Sequence, residues 1–379
     1  MAVAIRTGVS QAHTAKQAVA ELSTQLAQPD IAIVLFFCSS HFDLDEMASC
    51  LRAAFPEITV IGCTTAGEIT PLGYRSGSIT GASLGRSVAR AESILFRNLS
   101  TTGLSSLFDA AGSLSRRMEM AAGPGYGTRT FATLFIDGMS GAEDALLSAL
   151  HTVMPIIPLF GGSAGDDLAF QQSFVYCDGA FHSDAAVLTL IHTDLPFRVF
   201  KTQHFIASEQ KMVITGADPV KRIVTEINAE PAGAEYARMI GLDAKELTPM
   251  IFANHPVVVR VGGTEYVRSI QKLNDDGSLS FFCAIDEGLV LSVAKSVDPY
   301  ENLRDMFNRL STEIGAPQLT LGCECVLRLL DREQMQDIGR MGNLLSAHNV
   351  IGFNTYGEQF NAIHVNQTFT GVVLGAPKP

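Results

Sequence analysis

Charge is scarce in this chain: Asp, Glu, Lys and Arg make up 17% of its 379 residues, against about 25% in a typical soluble domain. Cations are the scarcer sign, with 27 Lys and Arg against 39 Asp and Glu and a net charge of -12. Those cations are scattered, whereas a phosphate backbone needs them clustered, so nucleic acid is excluded as a partner. Long apolar runs are missing too. The longest, Ile31 to Cys38, has strand length and falls far short of the roughly 20 residues that cross a bilayer. The N-terminal stretch has no cationic region followed by an apolar segment and a cleavage site, so no signal peptide is expected. Seven cysteines, an odd number without disulfide-like spacing in a large chain, point to reduced thiols and a cytoplasmic protein. The glycine-rich stretches contain no G-x-x-x-x-G-K-[ST] and no G-x-G-x-x-G between a strand and a helix, which removes those two routes to nucleotide binding. No H-x-H or H-x-x-x-H pair supports a zinc site.

What is present is apolar: 47% of the residues are hydrophobic, enough for a large core. The length predicts two domains, with a boundary near Asp218 that gives regions 1–218 and 219–379. Strands and helices alternate without the regular spacing of a doubly wound sheet. The expected fold class is therefore α/β, with mixed sheets and helices built from a repeated unit.

Three segments carry that unit: "IAIVLFFCSSHFDLDEMASCLRAAFPEITVIGCTTAGEIT", "TFATLFIDGMSGAEDALLSALHTVMPIIPLFGGSAGDDL" and "GCECVLRLLDREQMQDIGRMGNLLSAHNVIGFNTYGEQF". Each opens on an apolar run of strand length. A helix then starts at a capping pattern, Asp43-x-x-Glu46, Ser140-x-x-Glu143 or Asp331-x-x-Gln334, whose first side chain accepts from a free N–H of the first turn. Leu44, Met47, Leu51 and Phe55 recur at helical spacing, and Pro56 and Pro155 stop the first two helices. A second apolar run ends in a shared turn: Thr65-x-Gly67-Glu68, Ser163-x-Gly165-Asp166 and Thr355-Tyr356-Gly357-Glu358. The spacings from Cys38, Asp137 and Arg328 to the turn glycines are 29, 28 and 29 residues. A further strand follows each turn. Glycine there suits a strand end with positive φ, and the hydroxyl and acid suit bonding to turn backbone. The alternative role is a pocket lined by the converging turns, and both roles can hold. The third copy carries extra polar groups, Tyr356, Asn361, His364, Asn366 and Gln367, expected to face a cleft or domain interface and bond backbone there.

Several chemical motifs compete with structural roles. "GGSAG" around Ser163 matches the hydrolase elbow G-x-S-x-G, but that elbow needs a helix after it, and loop and strand follow here. Cys323 and Cys325 point to one face of a strand and could hold a metal with Cys283, or be buried thiols. His204 lies in "LPFRVFKTQHFIASEQKMVIT", with Arg198 and Lys201 nearby. An imidazole in an apolar, aromatic surround with cations close by is what a haem needs. A histidine hydrogen-bonded on a strand reads the same way locally. His192 and His364 are the reserves.

The turns "IGCTTAGEI", "LFGGSAGDD" and "IGFNTYGEQF" with "HVNQTFTGVVLG" resemble the signatures of FIST-domain proteins over almost the whole chain. The stretches "FKTQHFIASEQKMVITGADPVKRIVTEINAEPAGAEYAR" and "TYGEQFNAIHVNQTFTG" are similar to the subset called NosP, haem-dependent nitric oxide sensors. That resemblance implies a non-enzymatic sensor with FIST N- and C-terminal regions, carrying haem b and binding nitric oxide. A sensor histidine kinase or a cyclic-di-GMP synthase or phosphodiesterase would take its output, and a second copy of the chain is a further candidate partner. His204 as the haem-iron ligand is an inference from the residues and not a carry-over. The alternative is a haem-free sensor of an amino-acid-like ligand, as proposed for other FIST proteins.

Overall fold

A computed structural model describes residues 4–376. Its fold is mixed α/β, with four sheets and nine α-helices among the described residues. Two compact units divide the chain. One holds the residues up to Lys201, Arg304–Ile363 and the segment from Phe369 onward; the other holds Thr202–Leu303 and His364–Thr368. Asp218, where sequence alone puts a boundary, is the last residue of a strand inside the second unit.

The first unit is three copies of one extended repeat. In copy one a lead strand, Ile5–Ser10, runs through helix Ala15–Leu26 to an inner strand, Ile31–Ser39. Helix Leu44–Ala54 crosses to a parallel second strand, Thr59–Thr65, followed by a hairpin, Glu68–Thr70 with Gly73–Arg75, and a return strand, Ile79–Gly85. Copy two repeats this order as Ala89–Arg97, Leu104–Ala122, Thr130–Ile136, Glu143–Val153, Leu159–Ser163, hairpin Val175–Cys177 with Ala180–His182, and Ala185–Thr193. Copy three begins at Phe197–Gln203 and resumes at helix Pro299–Ile314, then Pro317–Cys325, helices Val326–Gln334 and Ile338–Ala347, Val350–Thr355, hairpin Glu358–Phe360 with Ile363–Val365, and Thr368–Gly375. The second unit is thus mostly an insertion after the lead strand of copy three.

Each copy builds a six-stranded sheet in the order lead, return, inner, second, and then a hairpin borrowed from another copy. The hairpin of copy one completes the sheet of copy three, that of copy two completes sheet one, and that of copy three completes sheet two. The exchange closes into a ring. The inner faces of all three sheets meet in one core, where Phe37, Phe135 and Phe353 touch pairwise with centroids 5.3, 4.8 and 5.9 Å apart. Edge-on and stacked pairs of this kind add about 1 kcal/mol each beyond burial. Helices cover the outer faces of sheets one and two with separate apolar clusters.

Local sequence explains much of this. Asp43 caps its helix by accepting from the Glu46 N–H, and Met47, Leu51 and Phe55 are buried. The other two capping patterns are corrected. Helix Glu143–Val153 has Ala142 at its cap position, and Ser140 accepts only weakly from the Ala142 N–H at 3.4 Å. Asp331 lies inside helix Val326–Gln334, which starts directly at the strand end Cys325, so Arg328 is a helical residue and not a strand end. Within "GPGYGT", a short 3-10 turn, Tyr126–Arg129, follows left-handed Gly125.

The second unit is an eight-stranded sheet around the long, bulged strand Phe205–Asp218, with helices Ala232–Ile240 and Pro249–Asn254. Gly241, left-handed at φ 78°, ends the first of these helices, as its position past a helical stretch predicts.

Three glycines set the spacing of the parallel pairs. A Cβ on Gly62, Gly161 or Gly352 would lie 2.3, 2.0 or 1.7 Å from the carbonyl oxygen of Phe36, Leu134 or Gly322, the residue directly opposite. Overpacking a core costs about 1–3 kcal/mol and sometimes more, and here the obstacle is backbone. We expect Gly161→Ala to lower the unfolding free energy by about 3 kcal/mol or more. Gly339→Ala, on a helix with open space around it, should raise it by up to about 1 kcal/mol. Urea denaturation of both variants checks this, and equal stabilities would refute it.

Candidate functional site

The carboxyl ends of the three parallel pairs converge, and there the predicted turns lock together through backbone. The Ala66 N–H donates to the Asn354 carbonyl at 3.0 Å, the Tyr356 N–H to the Ser163 carbonyl at 3.2 Å, and the Gly165 N–H to the Thr64 carbonyl at 3.0 Å. These bonds pass once round the ring. They also correct the motif alignment, because the partner of Ala66 and Tyr356 in copy two is Gly165, not Ala164. By position, then, Ser163 matches Thr64 and Asn354, Asp166 matches Gly67 and Gly357, and Asp167 matches Glu68 and Glu358. Gly62, Gly161 and Gly352 fall into line with this shift. Gly67 has the expected positive φ, 134°. Gly165 is required sterically instead, since a Cβ there would sit 2.7 Å from the Ala66 nitrogen.

The side chains of this node bond inward. Thr65 donates to Glu68 and Thr355 to Glu358, each at 2.5 Å. Glu68 also accepts from the Ser78 hydroxyl and N–H at 2.7 and 3.0 Å. Burial pushes the Glu68 carboxyl up to about 7 against those bonds. Burial acts the same way on Asp166. Its bonds from the Tyr356 hydroxyl and the backbone of Gln172, Gln171 and Phe170 outweigh it and hold that carboxyl below its usual value. Phe170 stacks on Tyr356 with centroids 4.3 Å apart. Ser163 is buried between Glu143 and the Gln359 amide, at 3.3 and 3.0 Å, and no helix follows it, so the hydrolase elbow is not formed. The turns therefore meet, but none of their site residues lines a described cleft. Sequence reasoning missed two partners here. Ser39 contacts His41 Nδ1 at 2.5 Å and donates to Asp167 at 2.7 Å. Glu324 pairs with buried Arg328 at 3.0 Å and accepts from Tyr74 at 2.5 Å.

The extra groups of the third turn separate. Asn361 accepts from the Leu159 N–H at 3.1 Å, as backbone bonding requires. His364, Asn366 and Gln367 lie in the second unit, each about 2% exposed or less. There the Gln367 amide donates to the Ala253 carbonyl at 2.9 Å and the His364 carbonyl accepts from Arg268 at 3.3 Å. Asn366 Oδ1, Arg268 Nε and Ser269 Oγ are buried without a hydrogen-bond partner among the described residues.

The candidate haem residues divide likewise. His204 is 1% exposed in the second unit, with its ring against Phe205 and its carbonyl accepting from Val297. It lines none of the described clefts. His192, Arg198 and Lys201 belong to the first unit. Arg198 pairs with Glu313 at 3.2 Å on the wall of a cleft of about 760 Å³ that also presents Ile156, Pro158, Leu195 and Phe197. His192 lines an adjoining cleft of about 350 Å³ with Arg86, Arg90 and Arg129; the two clefts share Arg129, Thr193 and Asp194. Thr130 gives its hydroxyl proton to the Tyr126 carbonyl at 2.7 Å, so toward His192 Nδ1, 3.1 Å away, it can only accept. Nδ1 thus carries the proton of the neutral ring, and Nε2 keeps its lone pair.

Six of the seven cysteines are buried, and Cys50 is half-buried. Burial pushes the Cys38, Cys63 and Cys323 thiols well up. Among the described residues no group of three His, Cys, Asp or Glu side chains is placed to hold a metal ion, and no helix is long and apolar enough to cross a membrane.

The first unit is thus a closed ring of three α/β repeats. Residues 32–230 match the FIST N domain and residues 232–361 the FIST C domain, and the chain belongs to the FIST family of sensory domains in signalling proteins. It is similar to an uncharacterized protein of Methanocaldococcus jannaschii, 22% identical over 275 residues that cover 64% of this chain and 53% of the other. The chain therefore spans about half the length of that relative.

The Glu68 carboxyl gives a test of the node. Its folded value is raised above the ordinary 4.5 of a glutamate, so its contribution is full below that value and is lost as pH rises through about 7. Over that window the loss is on the order of 3 kcal/mol. Glu68→Gln should flatten the fall in unfolding free energy between about pH 5 and 8. Identical slopes in denaturation series of the two proteins would show that Glu68 is not the titrating group.

Proposed function

We propose that this FIST protein is a haem-dependent nitric oxide sensor that regulates a partner, a histidine kinase or a cyclic-di-GMP enzyme, and that haem is held at His192. The observation that supports this site is His192 on a cleft wall among arginines, with its Nδ1 3.1 Å from the Thr130 hydroxyl. The donor set suits the group: an imidazole nitrogen for the iron, Arg86 and Arg90 for carboxylates, and the adjoining apolar cleft beside Arg198 for the ring. Each cleft, at about 760 and 350 Å³, falls within the roughly 300–1,000 Å³ typical of ligand sites. Haem would supply an iron that binds nitric oxide reversibly. His204 does not suit the role as folded, because its imidazole is enclosed. Thr130 fixes the His192 ring, and the second nitrogen's hydrogen bond tunes such a ligand. Any signal depends on the ligand's different affinity for two states of the protein.

Titration of the purified protein with haemin should give a saturable Soret band. His192→Ala should weaken haem binding about tenfold or more or shift the band, and His204→Ala should leave it unchanged. Loss of the band only in His204→Ala would move the site to the second unit, and absence of any band would end the haem reading.

A second reading is a haem-free sensor of a small amino-acid-like ligand. The observation in its favour is a cleft of about 590 Å³ lined by Arg52 and Tyr176.

A further inference from the structure

The lead strand of copy two, Ala89–Arg97, pairs with Ala185–Thr193 and with no other strand. The Asp137 N–H donates to the Ala185 carbonyl at 2.9 Å, and backbone groups alternate in direction along an antiparallel strand. Odd-numbered residues of Ala185–Thr193 therefore bond toward inner strand Thr130–Ile136. The even-numbered ones bond toward the lead strand, where they face Arg90, Glu92, Ile94 and Phe96. Ala91, Ser93 and Leu95 consequently turn their N–H and C=O groups outward, away from the sheet. Of these groups only the Ser93 carbonyl has a hydrogen-bond partner among the described residues, the Arg117 guanidinium at 2.6 Å.

Copy one closes its own edge. On lead strand Ile5–Ser10 the Val9 N–H donates to Gln25 Oε1 at 3.1 Å, and the Gln25 amide donates to the Val9 carbonyl at 2.8 Å. One carboxamide on the following helix thus does the work of a neighbouring strand. Arg117, on the following helix of copy two, carries donors only and can satisfy a carbonyl but never an N–H. An edge left open in this way is a template for another strand. Ala91, Glu92 and Ser93 form one wall of the cleft of about 590 Å³, so the open groups border free space. Across that space Phe55 and Val60 are apolar and Glu57 and Asp178 acidic. Arg117 neutralises Glu92 at 3.0 Å, whereas Glu57 and Asp178 form no ion pair among the described residues. Arg52, the single cation lining the cleft, is held by the Gly179 carbonyl.

We propose that this edge is where a partner protein docks, by laying an extended segment along Ala91–Leu95 as a seventh strand of the sheet. The segment carries a lysine or arginine toward Glu57 and Asp178 and apolar side chains toward Phe55 and Val60. In strand addition of this kind the backbone bonds give affinity and the side-chain pockets give choice. The inference rests on the partner regulation proposed above and names the surface the partner takes; it uses neither haem nor His192.

Calorimetry on the full chain with the peptide acetyl-Val-Lys-Val-Lys-Val-amide tests it. The peptide should bind saturably, and acetyl-Val-Glu-Val-Glu-Val-amide should bind at least about tenfold more weakly. Ser93→Pro removes an outward N–H and leaves the ladder to Ala185–Thr193 intact, so it should weaken binding about tenfold. The fully N-methylated lysine peptide has no backbone donor and should not bind, a check that holds even if Ser93→Pro does not fold. No saturable binding at about 10 mM peptide, or undiminished binding of the N-methylated peptide or by Ser93→Pro, would overturn the proposal. So would a dimer in sedimentation that Ser93→Pro converts to a monomer, because the edge would then belong to a second copy of the chain. A failed peptide titration leaves the haem reading in place, and a failed haemin titration leaves the docking edge in place.

Discussion

The backbone bonds that pass from turn to turn at the strand ends are the constraint on which the first unit depends. Each turn supplies an N–H to one neighbour and a carbonyl to the other, so none of the three can be formed alone. The hairpin exchange has the same circular logic, since each sheet lacks its last strands until another copy provides them. Both devices commit buried polar groups to partners from distant parts of the sequence, and a buried group left without a partner costs about 1–3 kcal/mol. The ring therefore forms as a whole. The same requirement leaves the hydroxyls and carboxylates of the node spent on one another.

What the amino-acid pattern revealed follows from this division between local and distant partners. The Asp43 cap, the proline stops and the apolar runs are local devices, and they read correctly. The repeat was visible because each copy needs the same inner strand, crossover helix and second strand. Its lead strands were not visible, since Ile5–Ser10 and Ala89–Arg97 are half-buried edge strands without a continuous apolar run. The insertion was hidden for a different reason. Strand Phe197–Gln203 leads through a single residue, His204, into Phe205–Asp218, and nothing in composition marks the change of unit there.

The site was less legible than the fold. Matching letters put Ser163, Gly165 and Asp166 opposite Thr65, Gly67 and Glu68, yet hydrogen bonding shifts copy two by one residue. A hydroxyl, a glycine and an acid recur often enough in turns to align by chance. Acidic side chains show the consequence: Glu68 and Glu358 accept from the hydroxyl three residues before, whereas Asp167, in the matching place, accepts from Ser39 and Ser40 across the node. His204 shows a comparable ambiguity. An aromatic, apolar neighbourhood describes a histidine sealed in a core as well as one that faces a haem, and only burial separates them. His192 carried the weaker sequence signal and the better geometry, because its distinguishing features, Thr130 and the arginines, come from other strands and loops.

The two clefts share one more feature of the ring. Ala89 and Arg90 line the cleft beside His192, and Ala91, Glu92 and Ser93 line the cleft beside Tyr176. All five belong to the lead strand of copy two, the edge of its sheet, which is paired on one side only with Ala185–Thr193. An edge strand is the part of a sheet that can shift while breaking the fewest backbone bonds. Glu92 and Ser93 are tied to Arg117 of the covering helix, through the carboxylate at 3.0 Å and the carbonyl at 2.6 Å. Both clefts thus border the same strand and, through it, the same helix. Two sites communicate only through an element whose alternative arrangements both of them bias, and in this unit Ala89–Arg97 is the element placed to be biased by both.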